Sequence, residues 1–460
     1  MPRSQSANRQ IKLGAVLFGV GGPGDHDSWR NPEIPGDASV DIDWYIARAR
    51  QAEAAKFDLV FIVDSQFITP DSPPHYLNRL EPLTLMSALA VSTTNIGLVG
   101  TLTTSYNTPF NLARRLASVD LISRGRAGWN VVATGDGGTA ANYSRDEHYD
   151  YESRYARALE CVRVVQGLWD SYEDDAFPRD RETGQFVDPS RQHKLNHKGR
   201  FFQVQGPLNI VRSRQGQPVI FQAGDSDEGR DLGAAIGEGI FTHAPTLEAG
   251  VAFARDIKAR AAAKGRNPDH VLIQPGVRPW IADTDAEAIE AERYERLHKD
   301  FGKTLAQFGR PFGWHDFSQY DLDAPFPELG DLGNDSFKTQ ADRIKAVAKE
   351  RNLTLRQAVT FFSEQHRSPF VGSPLTVANT IEEWFRAGAF DGLNITVTIP
   401  SEFAKFTDQV LPILRERGLV RAEYESDTLR GNLGLPVPEN RWTQARRATD
   451  EAVRDTLVEA

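Results

Sequence analysis

The 460-residue sequence contains one cysteine, Cys161, so it has no internal disulfide framework and suits a reducing compartment. Cys161 lies in an apolar helical run with Leu159, Val162 and Val165, the setting of a packed thiol rather than a nucleophile. No stretch reaches the roughly 18 apolar residues of a membrane span, and Met1 to Gln10 lacks the apolar core of a signal peptide, so the expected location is the cytoplasm. Positive charge is also short. With 53 Lys and Arg against 63 Asp and Glu, the net charge of -10 gives no electrostatic footing for DNA, RNA or an acidic membrane. No internal repeat and no low-complexity segment is present.

Several chemistries lack their residues. No serine or cysteine sits in a Gly-x-Ser-x-Gly turn, so hydrolysis by a nucleophile elbow is not expected. His193 and His197 are four apart, but no Glu stands beside the first and Arg191, Lys194, Lys198 and Arg200 surround them, a setting that repels a divalent ion; no metal site is expected. Gly19 to Gly24 spells G-x-G-x-x-G after a strand. Asp25 to Pro32 follows it instead of a helix, and Asp64 is not at the spacing of a ribose-binding acid, so it reads as a loop rather than a nicotinamide-dinucleotide turn.

What the sequence does have is alternation. Near-continuous apolar runs at 13–20, 57–63, 95–101, 127–132, 218–222, 239–241, 271–281 and 392–399 read as strands buried on both faces. Segments of helical spacing stand between most of them, including 41–56, 82–92, 109–123, 151–172, 228–236, 247–264 and 376–387. Strand-helix alternation implies right-handed crossovers and a parallel sheet. Eight strands predict an α/β protein with a (β/α)8 TIM-like barrel, with an open doubly wound sheet as the alternative. Such a barrel takes about 250 residues. The remainder is assigned to insertions at about 173–216 and 283–368, both expected on the loop face as covers, and to a C-terminal extension at 420–460, within one domain over 1–460.

In parallel α/β folds, chemistry collects at the carboxyl ends of strands. Thr101 to Tyr106 and Gly125 to Asn130 are such ends, with small and polar residues where each apolar run stops. Phe221 to Ser226 passes from a strand into a helix near Asp227, so free backbone N–H groups and the helix dipole offer a phosphate site there, or Ser226 is an ordinary helix cap.

Taken together and in order, Phe57-Asp-Leu-Val-Phe-Ile-Val-Asp64, Thr103-Thr-Ser-Tyr-Asn-Thr-Pro-Phe-Asn-Leu-Ala-Arg-Arg-Leu-Ala-Ser-Val-Asp120, Gly125-Arg-Ala-Gly-Trp-Asn-Val-Val132, Arg154-Tyr-Ala-Arg-Ala158, His197-Lys-Gly-Arg-Phe-Phe202, Pro218-Val-Ile-Phe-Gln-Ala-Gly-Asp-Ser226 and Gly431-Asn-Leu-Gly-Leu-Pro436 give the chain a resemblance. It resembles the bacterial luciferase-like flavin monooxygenases, in the group of nitrilotriacetate, EDTA and dibenzothiophene-sulfone monooxygenases. The resemblance implies an incomplete TIM-like barrel that binds reduced FMN (FMNH2) supplied by a separate NAD(P)H:flavin reductase. It also implies reaction of the flavin with O2 at C4a and delivery of one oxygen atom from the resulting peroxide to a small organic substrate, in a homo-dimer or tetramer. Carried over by position, Asp64, Thr104 and Asn130 line the isoalloxazine, and Tyr155 and Ser226 lie near the ribityl phosphate, with Tyr151 and Asp225 beside them. His26, Trp29 and His366 are the candidates on the substrate side. The chain has Tyr151 where relatives often have His, Asp225 where they have Ser, and Asp25-His26 where they have Gly-His-His. An F420-dependent oxidoreductase on the same barrel and a flavin-binding protein without catalysis are the alternative functions.

Overall fold

Strands rich in Val, Ile, Leu and Phe with little polar alternation must be covered on both faces, and a closed barrel wrapped in helices does that. The computed structural model describes residues 9–334, 336–364 and 368–448. Its eight central strands are β1 (Lys12–Leu17), β2 (Leu59–Ile62), β3 (Gly97–Thr103), β4 (Ala127–Val132), β5 (Val219–Ala223), β6 (Gly239–Thr242), β7 (Leu272–Val277) and β8 (Gly392–Val397). They close into a barrel in chain order. The resemblance implied an incomplete barrel; here β8 pairs in parallel with β1 from Lys12↔Gly392 to Leu17↔Val397, so the ring has no open edge.

Around it pack α1 (Ile42–Ala54), α2 (Pro82–Ser92), α3 (Pro109–Ile122), α4 (Tyr151–Trp169), α5 (Asp227–Ile236) and α6 (Leu247–Ala263). Strand alternation sorts the side chains. Trp129 and Val131 of β4 join Leu112, Leu116, Cys161 and Val165 of α3 and α4 in the outer core. Gly128, Asn130 and Val132 therefore face inward. Inside, Val16, Leu59, Phe61, Val99, Val219, Phe221 and Leu272 form a separate apolar cluster.

The segment read as a C-terminal extension supplies the barrel floor. The short helix α12 (Leu429–Leu433) and Leu435 insert Leu429, Leu433 and Leu435 into that inner cluster. Gly97 and Gly128 make the room: a Cβ on Gly97 would lie 2.3 Å from Leu429 Cδ1.

The last part of the predicted seventh strand leaves the barrel. Pro279 has no N–H for a ladder, and Trp280–Ile281 pairs instead with Val371–Gly372 in a small parallel sheet. That sheet clips together the two ends of the 283–368 insertion. Between them, α7 (Asp285–Leu297) packs against the clip, α8 (Phe301–Phe308), α9 (Lys338–Glu350) and α10 (Leu355–Glu364) pack around Leu305, Phe308, Phe312, Phe317, Ile344 and Val359, and α11 (Pro374–Ala387) follows the clip. Because this insertion follows a strand, it stands at the carboxyl end of the barrel. Lys303 Nζ meets Asp27 at 2.9 Å and Arg154 donates to Ser336 O at 2.9 Å, fastening it over the rim.

The 173–216 segment is not a cover, contrary to expectation. It runs from the end of α4 to the start of β5, a helix-to-strand connection, and such connections lie at the amino ends of the strands. Its Ser213 hydroxyl donates to Asp120, and Gln215 Nε2 donates to Asp120 Oδ1 at 2.6 Å and to Ala127 O at 2.8 Å, where β4 begins. A hairpin of His197–Lys198 and Gln203–Val204 runs along α4, with His197 Nε2 3.0 Å from Glu160.

Candidate active site

Asp64 follows β2, Thr104 follows β3, Asn130 lies in β4 and Ser226 follows β5. These strands are consecutive neighbours in the barrel, so the four residues occupy one arc of the carboxyl rim.

Asp64 is mostly buried and paired with Arg79 at 3.0 Å. Burial raises its carboxyl above the ordinary range, and the Arg79 guanidinium pulls it back down. Arg79 also donates to Ser65 O at 2.5 Å and stacks 4.4 Å over the Tyr76 ring, so the acid is held in one orientation. Thr104 is fully buried; its N–H (2.9 Å) and hydroxyl (3.2 Å) both donate to Val132 O, tying the end of β3 to β4.

Asn130 points into the barrel with its amide end decided by a chain of bonds. Thr101 Oγ1 donates to Ile62 O at 2.8 Å, so toward Asn130 it can only accept, and Asn130 Nδ2 donates to it at 2.9 Å. The Oδ1 of Asn130 is left buried with no donor among the described residues. A buried amide oxygen without a partner is uncommon in folded proteins and points to a missing donor.

The next strand, β5, leads into the N-terminus of α5. Ser226 caps α5, accepting from Gly229 N at 3.1 Å, and its Oγ is 3.4 Å from the Tyr155 hydroxyl. Tyr151 stacks edge-on with Tyr155 at 5.2 Å and donates to Glu228 Oε2 at 2.9 Å; burial raises its phenol to about 12. The first N–H groups of α5 have no carbonyl a turn back to receive them and point toward this corner. Three carboxylates stand nearby, and each is engaged: Asp225 by the Thr242 hydroxyl (2.8 Å), Asp227 by Arg260 (2.5 Å) and Glu228 by Tyr151. The cap reading of Ser226 thus holds.

His26 and Trp29 belong to the loop after β1. Trp29 is half exposed and its indole donates to His26 O at 3.0 Å. Burial, then Lys303, lowers the His26 imidazole below its usual value, and its Nε2 has no partner among the described residues. His366 lies outside the described residues. Among the described residues no three His, Cys, Asp or Glu side chains are grouped to hold a metal, and no helix is long and apolar enough to cross a membrane.

The sequence reading missed several groups. His148 bonds the Tyr106 hydroxyl at 2.5 Å through Nδ1 and Thr134 O at 2.9 Å through Nε2. Arg154, buried, donates to Thr134 O at 3.2 Å and joins the insertion through Ser336. Arg79 and Arg310 also reach the rim. Tyr106 and Arg154 stood inside the quoted motifs, the signal that could have found them; Arg79 and Arg310 stood in none, and Arg310 meets Asp136 only across 174 positions of chain.

In this arc Asn130 Oδ1 has no donor among the described residues, and the N-terminus of α5 lies beside Ser226 and Tyr155. The family model described as luciferase-like monooxygenase matches residues 18–391. The chain is 43% identical over 445 residues to N-acetyl-S-(2-succino)cysteine monooxygenase of Bacillus subtilis (strain 168), covering 95% of this chain and 100% of the relative. It is 40% identical over 453 residues to nitrilotriacetate monooxygenase component A of Aminobacter aminovorans, covering 94% and 98%. A solved structure of riboflavin lyase with modified FMN and substrate riboflavin superposes with a TM-score of 0.83 at 32% identity, over 94% of this chain and 97% of that one. A parallel barrel matched almost from end to end by these enzymes means that the chain belongs to the luciferase-like monooxygenase family and is a flavin-dependent monooxygenase.

Proposed function

We propose that the protein is the oxygenase of a two-component system. It takes FMNH2 from a separate NAD(P)H:flavin reductase in the cytoplasm and inserts one atom of O2 into a small organic substrate, the other atom leaving as water and the flavin as FMN. The observation that carries this reading is the pairing of two adjacent strands: β4 presents the unmatched Asn130 oxygen, and β5, in register with it at Asn130↔Phe221, leads to the anion corner of Ser226, Tyr155 and Tyr151.

When bound, reduced flavin supplies the electrons that activate O2. The protein's part is to hold the ring, anchor its phosphate and keep water out. Asn130, fixed by Thr101, offers an acceptor that need not reorganise. Asp64, fixed by Arg79, marks the rim beside it. Phe61, Phe221 and Phe241 form the dry floor beneath, with Phe61 and Phe241 centroids 5.2 Å apart. The 283–368 insertion covers the mouth, the arrangement needed where bulk water would divert an oxygen-activating reaction.

The test is turnover with photoreduced FMN under air. N-acetyl-S-(2-succino)cysteine and nitrilotriacetate, named for the two relatives above, are the first substrates to try. Product containing one oxygen atom from 18O2 should form without NAD(P)H or a reductase. Oxidation of NADH by the purified protein alone, in step with product, would replace this reading with a one-component route.

A further inference from the structure

The loops after β3 and β4 bring two tyrosines and a histidine together at the rim. Tyr106 follows Thr104 by two residues, and its ring stacks on that of Tyr143 at 4.8 Å, with 13° between the planes. Tyr143 is 39% exposed, so the stack reaches solvent. It also reaches the arc: burial first, then Asp64 and Glu81, raise the Tyr143 phenol, which puts it in the field of the acid that follows β2. Tyr106 is half-buried, and burial raises its phenol as well, so it keeps its proton at neutral pH.

The sense of the bond between Tyr106 and His148 is fixed from behind. Thr134 O can only accept, so His148 Nε2, 2.9 Å away, carries the imidazole proton and Nδ1 is left as an acceptor. The Tyr106 hydroxyl therefore donates to Nδ1, at 2.5 Å. A phenol that hydrogen-bonds to a base can give up its electron and its proton together, which spares it the strongly acidic radical cation. Arg154 Nη1, 3.2 Å from Nε2, opposes a lasting positive charge on the imidazole, so a proton lent to His148 is readily returned. Tyr320 also meets a histidine, His315 at 3.0 Å, but its ring neighbours are His315 and Phe317 inside the insertion, with no second phenol among the described residues.

We propose that Tyr106 and Tyr143 are a redox-active pair that carries oxidising equivalents from the flavin arc to the surface, with His148 as the proton acceptor of Tyr106. The proposal rests on the flavin reading above for the source of the oxidant, an oxygen radical formed when O2 is reduced with no substrate to receive the oxygen. Tyr106 gives one electron to a hydroperoxyl radical and its phenolic proton to His148 Nδ1; the radical takes a proton from water and becomes hydrogen peroxide. Tyr143 then passes an electron to Tyr106, whose oxygen recovers the proton from His148, and Tyr143 releases its own proton to solvent. A thiol in solution returns a hydrogen atom to Tyr143, so both phenols end as they began and the thiyl radical is left outside the protein.

Flash photo-oxidation with a ruthenium tris-bipyridine complex, read by freeze-quench electron paramagnetic resonance, tests the pair in the flavin-free, full-length protein. Wild type should give a neutral tyrosyl radical. Tyr106→Phe should lose most of that signal, whereas Tyr143→Phe should keep it and lengthen its life several-fold, the way out being closed. His148→Ala should cut the yield several-fold, and imidazole added to the buffer should restore it, a rescue that a merely structural role would not show. Tyr320→Phe should match wild type. An equal signal in Tyr106→Phe and wild type overturns the proposal, as does a yield in His148→Ala that does not fall, or that falls and is not restored by imidazole. Wild type loaded with FMN and lit with blue light should form the same Tyr106 radical without ruthenium; bound FMN that yields no such radical also overturns it. Failure of FMN to bind, with the ruthenium results as expected, would sink the flavin reading and leave the redox pair standing.

Discussion

Asn130 donates its amide N–H to Thr101 Oγ1 at 2.9 Å, and because Thr101 spends its own proton on Ile62 O, the amide cannot be turned round. The buried oxygen this leaves is a cost to the folded protein that a ligand donor would relieve. Asn130→Leu, similar in volume, should therefore leave thermal stability unchanged or slightly higher, while reduced-FMN affinity falls about tenfold, as expected for one lost hydrogen bond of about 1–1.5 kcal/mol. Thermal melts and anaerobic flavin titration check the two halves; equal affinity in variant and wild type removes Asn130 from the site.

Ser226 caps α5, and the proposed function gives it a second job at the flavin phosphate; one substitution separates the two. Ser226→Ala removes the α5 cap, at about 1 kcal/mol of stability, and one hydroxyl of the anion corner. Affinity for reduced FMN should drop several-fold, while that for reduced riboflavin, which lacks the phosphate, should not change. Equal losses for both flavins would place the phosphate elsewhere.

Two buried groups give stability opposite pH dependences. Burial raises the Asp120 carboxyl to about 6, against the donors Ser213, Ala127 and Gln215. Its folded value lies above the unfolded one of about 3.9, so its contribution is whole below about pH 4 and is lost as pH rises through 6. His75, hydrogen-bonded to Ser39 at 2.8 Å, is lowered to about 3, by burial first and Arg79 second. It stays neutral in the folded state, so its contribution is present above about pH 6.5 and is lost as pH falls toward 3. In urea melts, Asp120→Asn should compare best with wild type near pH 7 and worst near pH 4, by on the order of 3 kcal/mol. His75→Gln should show the reverse trend. Parallel curves for either variant and wild type would disprove the corresponding assignment.

The barrel floor makes a packing prediction. Leu429→Ala should cost about 3 kcal/mol, since the rigid strands around it cannot collapse into the space. Gly97→Ala should also destabilise, by forcing Leu429 to move, but should be better tolerated when Leu429 is Ala. A double-mutant cycle by denaturant unfolding checks this; strict additivity would mean the two residues do not share that space.

The strands were legible in the sequence because burial on both faces leaves runs such as Leu98-Val99 and Val60-Phe61-Ile62 almost free of polar residues, and the helices because their periodicity differs. The end of β7 was less legible, since the apolar run continues past Pro279 while the hydrogen-bond ladder does not. The position of 173–216 could have been read from connectivity alone, as it follows a helix and precedes a strand; polarity and length, which say only that a segment is exposed, pointed to the wrong face. At the rim, Asp64, Thr104 and Ser226 were readable because they follow the apolar runs of β2, β3 and β5, and Asn130 because it is the polar residue within the run of β4. Arg79, His148 and Arg310 were not, because a pairing such as Arg310 with Asp136 is made by the fold across 174 positions of chain.

The leucines that close the bottom of the barrel come from residues 429–435, and β8, which shuts the ring, begins only at Gly392. During synthesis, Asp64, Thr104, Asn130 and Ser226 are therefore all on the growing chain while Val16, Leu59, Val99 and Leu272 still lack both their last wall and their plug. Translation ended anywhere between Leu272 and Gly392 would release a chain with those four residues present and its apolar lumen wet, a natural client for chaperones and proteases.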